Sequence, residues 1–150
     1  MTTIRSVAET DYAQWRPLWD GYNKFYGRFD ATALPEVITA QTWKRFFDET
    51  EPAHCLVAKR DGKIVGIVHY LFHHSTVLKN DICYLQDLFA DETVRGNGIG
   101  RALIEAVYDK ARAAGSERVY WQTHETNARA MALYNQVADR SGFLVYRKQI

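Results

Sequence analysis

Residues 81–107, DICYLQDLFADETVRGNGIGRALIEAV, join an apolar stretch to an amphipathic one through a turn holding three glycines in five positions: Gly96, Gly98 and Gly100. Over 81–90 both alternating faces are apolar, as in a central strand covered on each side, and only Gln86 and Asp87 interrupt the pattern. From Gly98 onward Ile99, Leu103, Ala106, Val107, Ala111 and Ala114 fall on one helical stripe, and Gly115 suits a C-terminal cap. A helix that starts in such a turn leaves backbone N–H groups without intrahelical partners and carries about half a positive charge at that end. Glycines let a phosphate approach those groups without meeting a Cβ. The segment therefore predicts an anion-binding strand-to-helix junction, with a turn that merely reverses the chain as the simpler alternative.

Spacing narrows the kind of phosphate compound. A dinucleotide fingerprint, G-x-G-x-x-G, needs glycine at 101, where Arg101 stands, and the Gly-Lys-Ser/Thr ending of a P-loop is missing. What remains is R-x-x-G-x-G, read as Arg95, Gly98 and Gly100.

The rest of the chain builds a sheet around this junction. A short strand near Ile4–Val7 precedes a helix with Trp15, Leu18, Trp19, Tyr22, Phe25 and Tyr26 on one aromatic face, then a helix led in by Pro35. Asp61-Gly62, a dipeptide suited to tight hairpin turns, separates two apolar runs within 54–74. After the glycine-led helix come a strand at RVYWQT, a helix at NARAMALYNQVAD and a last strand at FLVYRK. The order β-α-α-β-β-β-α-β-α-β predicts an α/β (α+β) protein, a mixed sheet flanked by helices, in a single domain spanning 1–150.

The segment YLQDLFADETVRGNGIGRALIEAV resembles the coenzyme A-binding core of the GNAT N-acetyltransferases, which carry R/Q-x-x-G-x-G/A between their fourth strand and third helix. The likeness covers about residues 54–148 and is closest to the polyamine acetyltransferases and the yeast histone and amine acetyltransferases. It implies a mostly antiparallel sheet split between the fourth and fifth strands. It also implies that the main chain of Leu88, Phe89 and Ala90 runs beside the pantetheine arm of acetyl-CoA. Arg95, Gly96, Asn97, Gly98, Ile99, Gly100 and Arg101 would hold the diphosphate, with Asn127 and Ala130 touching the arm from the far side of the split.

Acetyl transfer to an amine requires a neutral nucleophile, a stabilised oxyanion and a proton for the departing thiolate. Tyr134 follows Asn127 by seven positions, two helical turns, so both share a face, and the family pattern N-x(6)-Y implies the acid role for it. By itself the position reads as a core aromatic. The polyamine enzymes place Glu-Asp where this chain has Gln86-Asp87, which leaves Asp87, a water chain, or no dedicated base. The resemblance also implies a backbone N–H near Ala90, where these enzymes interrupt the strand with a bulge, as the oxyanion donor. The resemblance implies Tyr22, Tyr26, Gln86, Trp121 and Gln122 as acceptor-site residues, with Asp20 and Asp30 in the same N-terminal region, where a plain division of surface and core reads equally well. Where the family commonly shows Y-x-x-x-G-F, this chain has YNQVADRSGF, which leaves the register after Tyr134 open.

A formal charge of +1 argues against duplex nucleic acid as the main partner, since phosphate binding needs a concentrated basic face. No apolar run approaches the roughly 20 residues of a membrane helix, and the first residues lack a signal-peptide layout, so a cytoplasmic enzyme is expected. Cys55 and Cys83 read as buried free thiols, and His54, His69, His73, His74 and His124 show no metal-ligand spacing. The expectation is an acetyl-CoA-dependent N-acetyltransferase acting on a small primary amine, polyamine or amino-acid-like, in a direct ternary complex. Acetylation of a protein Lys or N-terminus, or a non-catalytic coenzyme A sensor, are the alternatives, and a homodimer is implied by the resemblance alone.

Overall fold

Asp61 and Gly62 reverse the chain with φ of 49° and 79°, the two positive dihedrals a tight hairpin turn demands. They join β2 (Ala53–Arg60) to β3 (Lys63–His73). A computed structural model describes residues 1–150, and this hairpin is its centre. β1 (Thr2–Ser6) pairs antiparallel with β2, and β4 (Ile82–Ala90) antiparallel with β3. β5 (Val119–Tyr120) lies parallel to β4, which gives the sheet order β1-β2-β3-β4-β5. The helices are α1 (Tyr12–Phe25), α2 (Glu36–Arg45), α3 (Ile99–Ala113) and α4 (Ala128–Val137).

Alternation along β2 divides the core between the two faces of the sheet. Cys55 and Val57 join Trp15, Leu18 and Trp19 of α1, while Leu56 and Ala58 join Ile99, Leu103, Ile104, Val107 and Ala111 of α3. Each fully buried aliphatic side chain in the second group contributes roughly 2 kcal/mol. Gly66 on β3 lets the first turn of α3 lie close to the sheet: a Cβ there would come within 2.7 Å of Ile99 Cγ2 and 3.1 Å of Leu103 Cδ1.

Two features of β4 shape the site. The pairing passes from Tyr70↔Leu85 to His69↔Asp87, so Gln86 is the extra residue of a β-bulge. The interruption expected near Ala90 thus sits earlier in the strand, where the ladder slips to accommodate His69 opposite Asp87. Its effect is to switch faces. Cys83 and Leu85 pack with α3, and unbroken alternation would send Asp87 and Phe89 the same way. Instead Phe89 packs with α1 and Leu88 and Ala90 with α3, while Asp87 turns toward the α1 side with His69.

The second feature is the split. β5 pairs with β4 only through Cys83↔Val119 and Tyr84↔Tyr120, while β4 continues to Ala90. The Asp91 N–H donates to Val65 O (2.8 Å), which makes Ala90↔Gly66 a non-hydrogen-bonded pair. By the same alternation the main-chain groups of Leu88 and Ala90 point away from β3, into the split, and those of Phe89 point toward Ile67.

The strand expected at 143–148 does not form. The chain leaves α4 in extended geometry at Ala138 and finds no ladder within its own sheet. Phe143, Leu144, Val145 and Tyr146 stand 90, 79, 66 and 92% exposed. No helix is long and apolar enough to cross a membrane.

Candidate active site

At the start of α3 the backbone is bared in the way the sequence predicts. Gly96 and Gly98 hold φ of 86° and 75°, left-handed values that cost other residues about 1–2 kcal/mol, and a Cβ at either would meet nothing within 4 Å. The first helical bond runs from the Ala102 N–H to Gly98 O. The N–H groups of Gly96, Gly98, Ile99, Gly100 and Arg101 make no hydrogen bond within the chain. Gly100 sits 3.4 Å, by its would-be Cβ, from Leu133 of α4, so α3 and α4 approach here. The Asn97 amide donates to Val94 O (2.9 Å) and steadies the turn. Arg95 lies over the Phe89 ring at 5.9 Å, and Arg101 bonds Gln136 and pairs with Glu105 (3.7 Å).

Across the split, Asn127 caps α4, its Oδ1 accepting from the Ala130 N–H at 3.4 Å. Tyr134, two turns on, is half-buried with its ring edge-on to Trp121 at 5.4 Å. Burial, and then the neighbouring Tyr26, push its phenol up to about 12. Trp121 also lies 6.4 Å from Tyr108, whose hydroxyl donates to Val137 O (2.8 Å). Gln122 is exposed, and the Thr123 hydroxyl beside it is buried with no partner.

The acceptor side is aromatic and charged. Asp87 accepts from His69 (2.9 Å) and raises the phenols of Tyr22, Tyr26 and Tyr84, in each case after burial. Tyr26 lies 5.0 Å from Tyr22, which stacks on Trp19 at 5.5 Å, and Trp19 lies 5.2 Å from His69, so the aromatic face of α1 continues to the partner of Asp87. Gln86, on the bulge, is exposed. Asp20 instead pairs with Arg16 (2.9 Å), and Asp30 occupies a turn at φ 50°. His124 bonds Thr126 (2.7 Å) at the surface.

Two participants went unseen in the sequence. Arg28 lies 5.8 Å from the Tyr22 ring and 5.5 Å from that of Tyr26, with Nε on Asn23 Oδ1 at 2.7 Å. His69 backs Asp87. Neither had a periodicity signal: Arg28 follows the end of α1, and His69 was one of five scattered histidines.

Residues 15–138 match the model of the Acetyltransferase (GNAT) family. The chain belongs to the GNAT family. It is an N-acetyltransferase by that membership. It is 33% identical over 147 residues to a D-amino-acid N-acetyltransferase, HPA3, of Saccharomyces cerevisiae, covering 97% of this chain and 89% of that one. It is 34% identical over 96 residues to the thialysine N-epsilon-acetyltransferase of Bos taurus, covering 59% of this chain and 56% of that one. Its fold superposes with a TM-score of 0.82, at 17% identity and over 100% and 99% of the two chains, on AAC(6')-Iy in complex with a CoA bisubstrate analogue.

The residues present fit the acetyl-CoA this family uses. The unbonded N–H cluster at α3 suits a diphosphate. The Leu88 and Ala90 main chain offers strand-like bonds to an amide-containing arm, and the unpartnered Thr123 hydroxyl stands on the segment that diverges from β4.

Proposed function

We propose that this GNAT enzyme transfers an acetyl group from acetyl-CoA to the primary amine of a small, amino-acid-like acceptor, by direct attack with both substrates bound. The observation that carries this reading is the cluster of unbonded N–H groups at the start of α3, in contact through Gly100 and Leu133 with α4, which bears Tyr134. Gly96–Arg101 hold the diphosphate, and Leu88 and Ala90 align the arm. Acetyl-CoA supplies the acetyl group as a thioester.

An alkyl ammonium near 10.4 is neutral in only about one molecule in 2,500 at pH 7, a cost of about 4.6 kcal/mol. Asp87 attracts that ammonium and accepts its proton, directly or through water, as the C–N bond forms. The Leu88 N–H, unclaimed by β3, is the donor for the developing oxyanion, which leaves the Ala90 N–H to the arm. Tyr134 donates toward the sulfur as it departs. No acyl-enzyme is involved, since burial raises both Cys55 and Cys83 and keeps them as thiols.

An α-amino acid also carries a carboxylate, and Arg28, whose guanidinium faces Tyr22 and Tyr26, supplies its counter-charge. The yeast relative's D-amino-acid activity supports this class of acceptor. Thiol release measured with acetyl-CoA against amino acids, polyamines and peptides tests it. Turnover is expected with amino acids. Preference for peptides would favour protein acetylation, and tight cofactor binding with no turnover across the panel would favour a sensor.

Two buried free thiols suit a reducing compartment, in keeping with a cytoplasmic enzyme of a single domain. The exposed 143–146 segment and the unpaired outer edge of β5 support a homodimer in which the tail of one copy lies along the sheet edge of the other. Sedimentation is expected to show a dimer that Leu144→Asp with Tyr146→Asp converts to monomer. A wild-type monomer at roughly 100 µM refutes it.

A further inference from the structure

His69 is 4% exposed, and both of its ring nitrogens are engaged. Nδ1 lies 2.9 Å from Asp87 Oδ2, and Nε2 lies 3.0 Å from Nε1 of Trp15, which is itself 0% exposed. An indole nitrogen only donates. Nε2 must therefore be the acceptor and carries no hydrogen, so the ring is neutral, with its one hydrogen on Nδ1 and donated to Asp87. Trp15, Trp19 and Phe46 surround the imidazole at centroid distances of 5.9, 5.2 and 4.7 Å and fix its plane.

This arrangement inverts the usual order of a histidine–carboxylate pair. Asp87, its side chain 12% exposed, has the more deeply buried histidine behind it, and that imidazole packs on Trp19, which stacks on Tyr22 of the acceptor side. His69 cannot relay a proton onward, because its far nitrogen already accepts the Trp15 N–H. What it can do is anchor Oδ2 and so fix the plane of the carboxylate. The bulge at Gln86 is what places Asp87 opposite this donor.

We propose that His69 is a positioning residue that, held in one tautomer by Trp15, orients the Asp87 carboxylate toward the acceptor amine. The proposal rests on Asp87 as the group that meets that amine. His69→Phe keeps a planar ring but donates nothing. It is expected to lower kcat/KM for the amine by about 10- to 30-fold while leaving KM for acetyl-CoA within about 3-fold. His69→Gln, whose amide both donates and accepts, recovers most of the loss. In an Asp87→Asn background His69→Phe has no further effect, which a purely structural role would not predict.

The outcomes separate the two ideas. If Asp87→Asn itself costs less than about 5-fold, the reading of Asp87 fails; if it is costly and His69→Phe is silent, positioning fails. Should His69→Phe not fold, ¹⁵N-histidine NMR of the wild-type enzyme decides. A proton on Nδ1 alone supports the proposal, and one on Nε2 overturns it.

Discussion

Replacing Tyr134 with phenylalanine is expected to lower kcat by about 10²- to 10³-fold and to leave the dissociation constant for acetyl-CoA within about 3-fold. The ring stays packed against Trp121, and the hydroxyl has no hydrogen-bond partner within the chain, so the change removes no internal contact. Stability should move by less than about 1 kcal/mol. With its phenol pushed up to about 12, Tyr134 remains protonated at neutral pH. Complete proton transfer to a thiolate, ordinarily near 8.5, then runs uphill by about 5 kcal/mol. The contribution is therefore a hydrogen bond to the sulfur as charge grows there, which is why the expected loss is not larger. The sign of the pH dependence follows. A raised phenol keeps its proton as pH rises, so Tyr134 imposes no alkaline loss of kcat below about pH 11. Thiol-release kinetics with calorimetric cofactor binding test both parts, and undiminished turnover by the variant ends the acid assignment.

The parts of this molecule legible in sequence are those governed by local rules. Asp61-Gly62 marks the hairpin because two adjacent positive dihedrals suit few other pairs, and Gly98 with the Ile99-to-Ala114 stripe marks α3, which ends at Ala113. The helical spacing of Asn127 and Tyr134 placed both on α4. What stayed hidden depends on register between distant segments. No sequence pattern states that His69 lies opposite Asp87, because the connection between β3 and β4 and the bulge at Gln86 together set that pairing. Uninterrupted alternation would have sent Asp87 to the α3 face. The 143–148 segment differs for a related reason: β propensity marks a strand-forming stretch but not whether tertiary contacts bring it to a sheet edge.

Gly98→Asp is expected to weaken acetyl-CoA binding by about 100-fold. The space around Gly98 is open in the protein, so the effect does not come from a clash with the chain. Strain and charge act on different quantities. Asp tolerates the φ of 75° better than most residues, so backbone strain contributes about 1 kcal/mol and falls mainly on stability. The larger cost is charge: a carboxylate roughly 5 Å from a diphosphate, at an effective dielectric of about 40, repels each of its charges by about 1.7 kcal/mol. Two such charges give roughly 3 kcal/mol, or about 100-fold in affinity. Gly98→Asn, similar in shape and in tolerance of that dihedral, isolates the charge and should lose no more than about 10-fold. Because the charge term is screened, added salt should narrow the gap between the two variants. Calorimetric titrations at low and high ionic strength test this. Equal affinity of the Asp variant and the wild type would mean that the diphosphate binds elsewhere than at the start of α3.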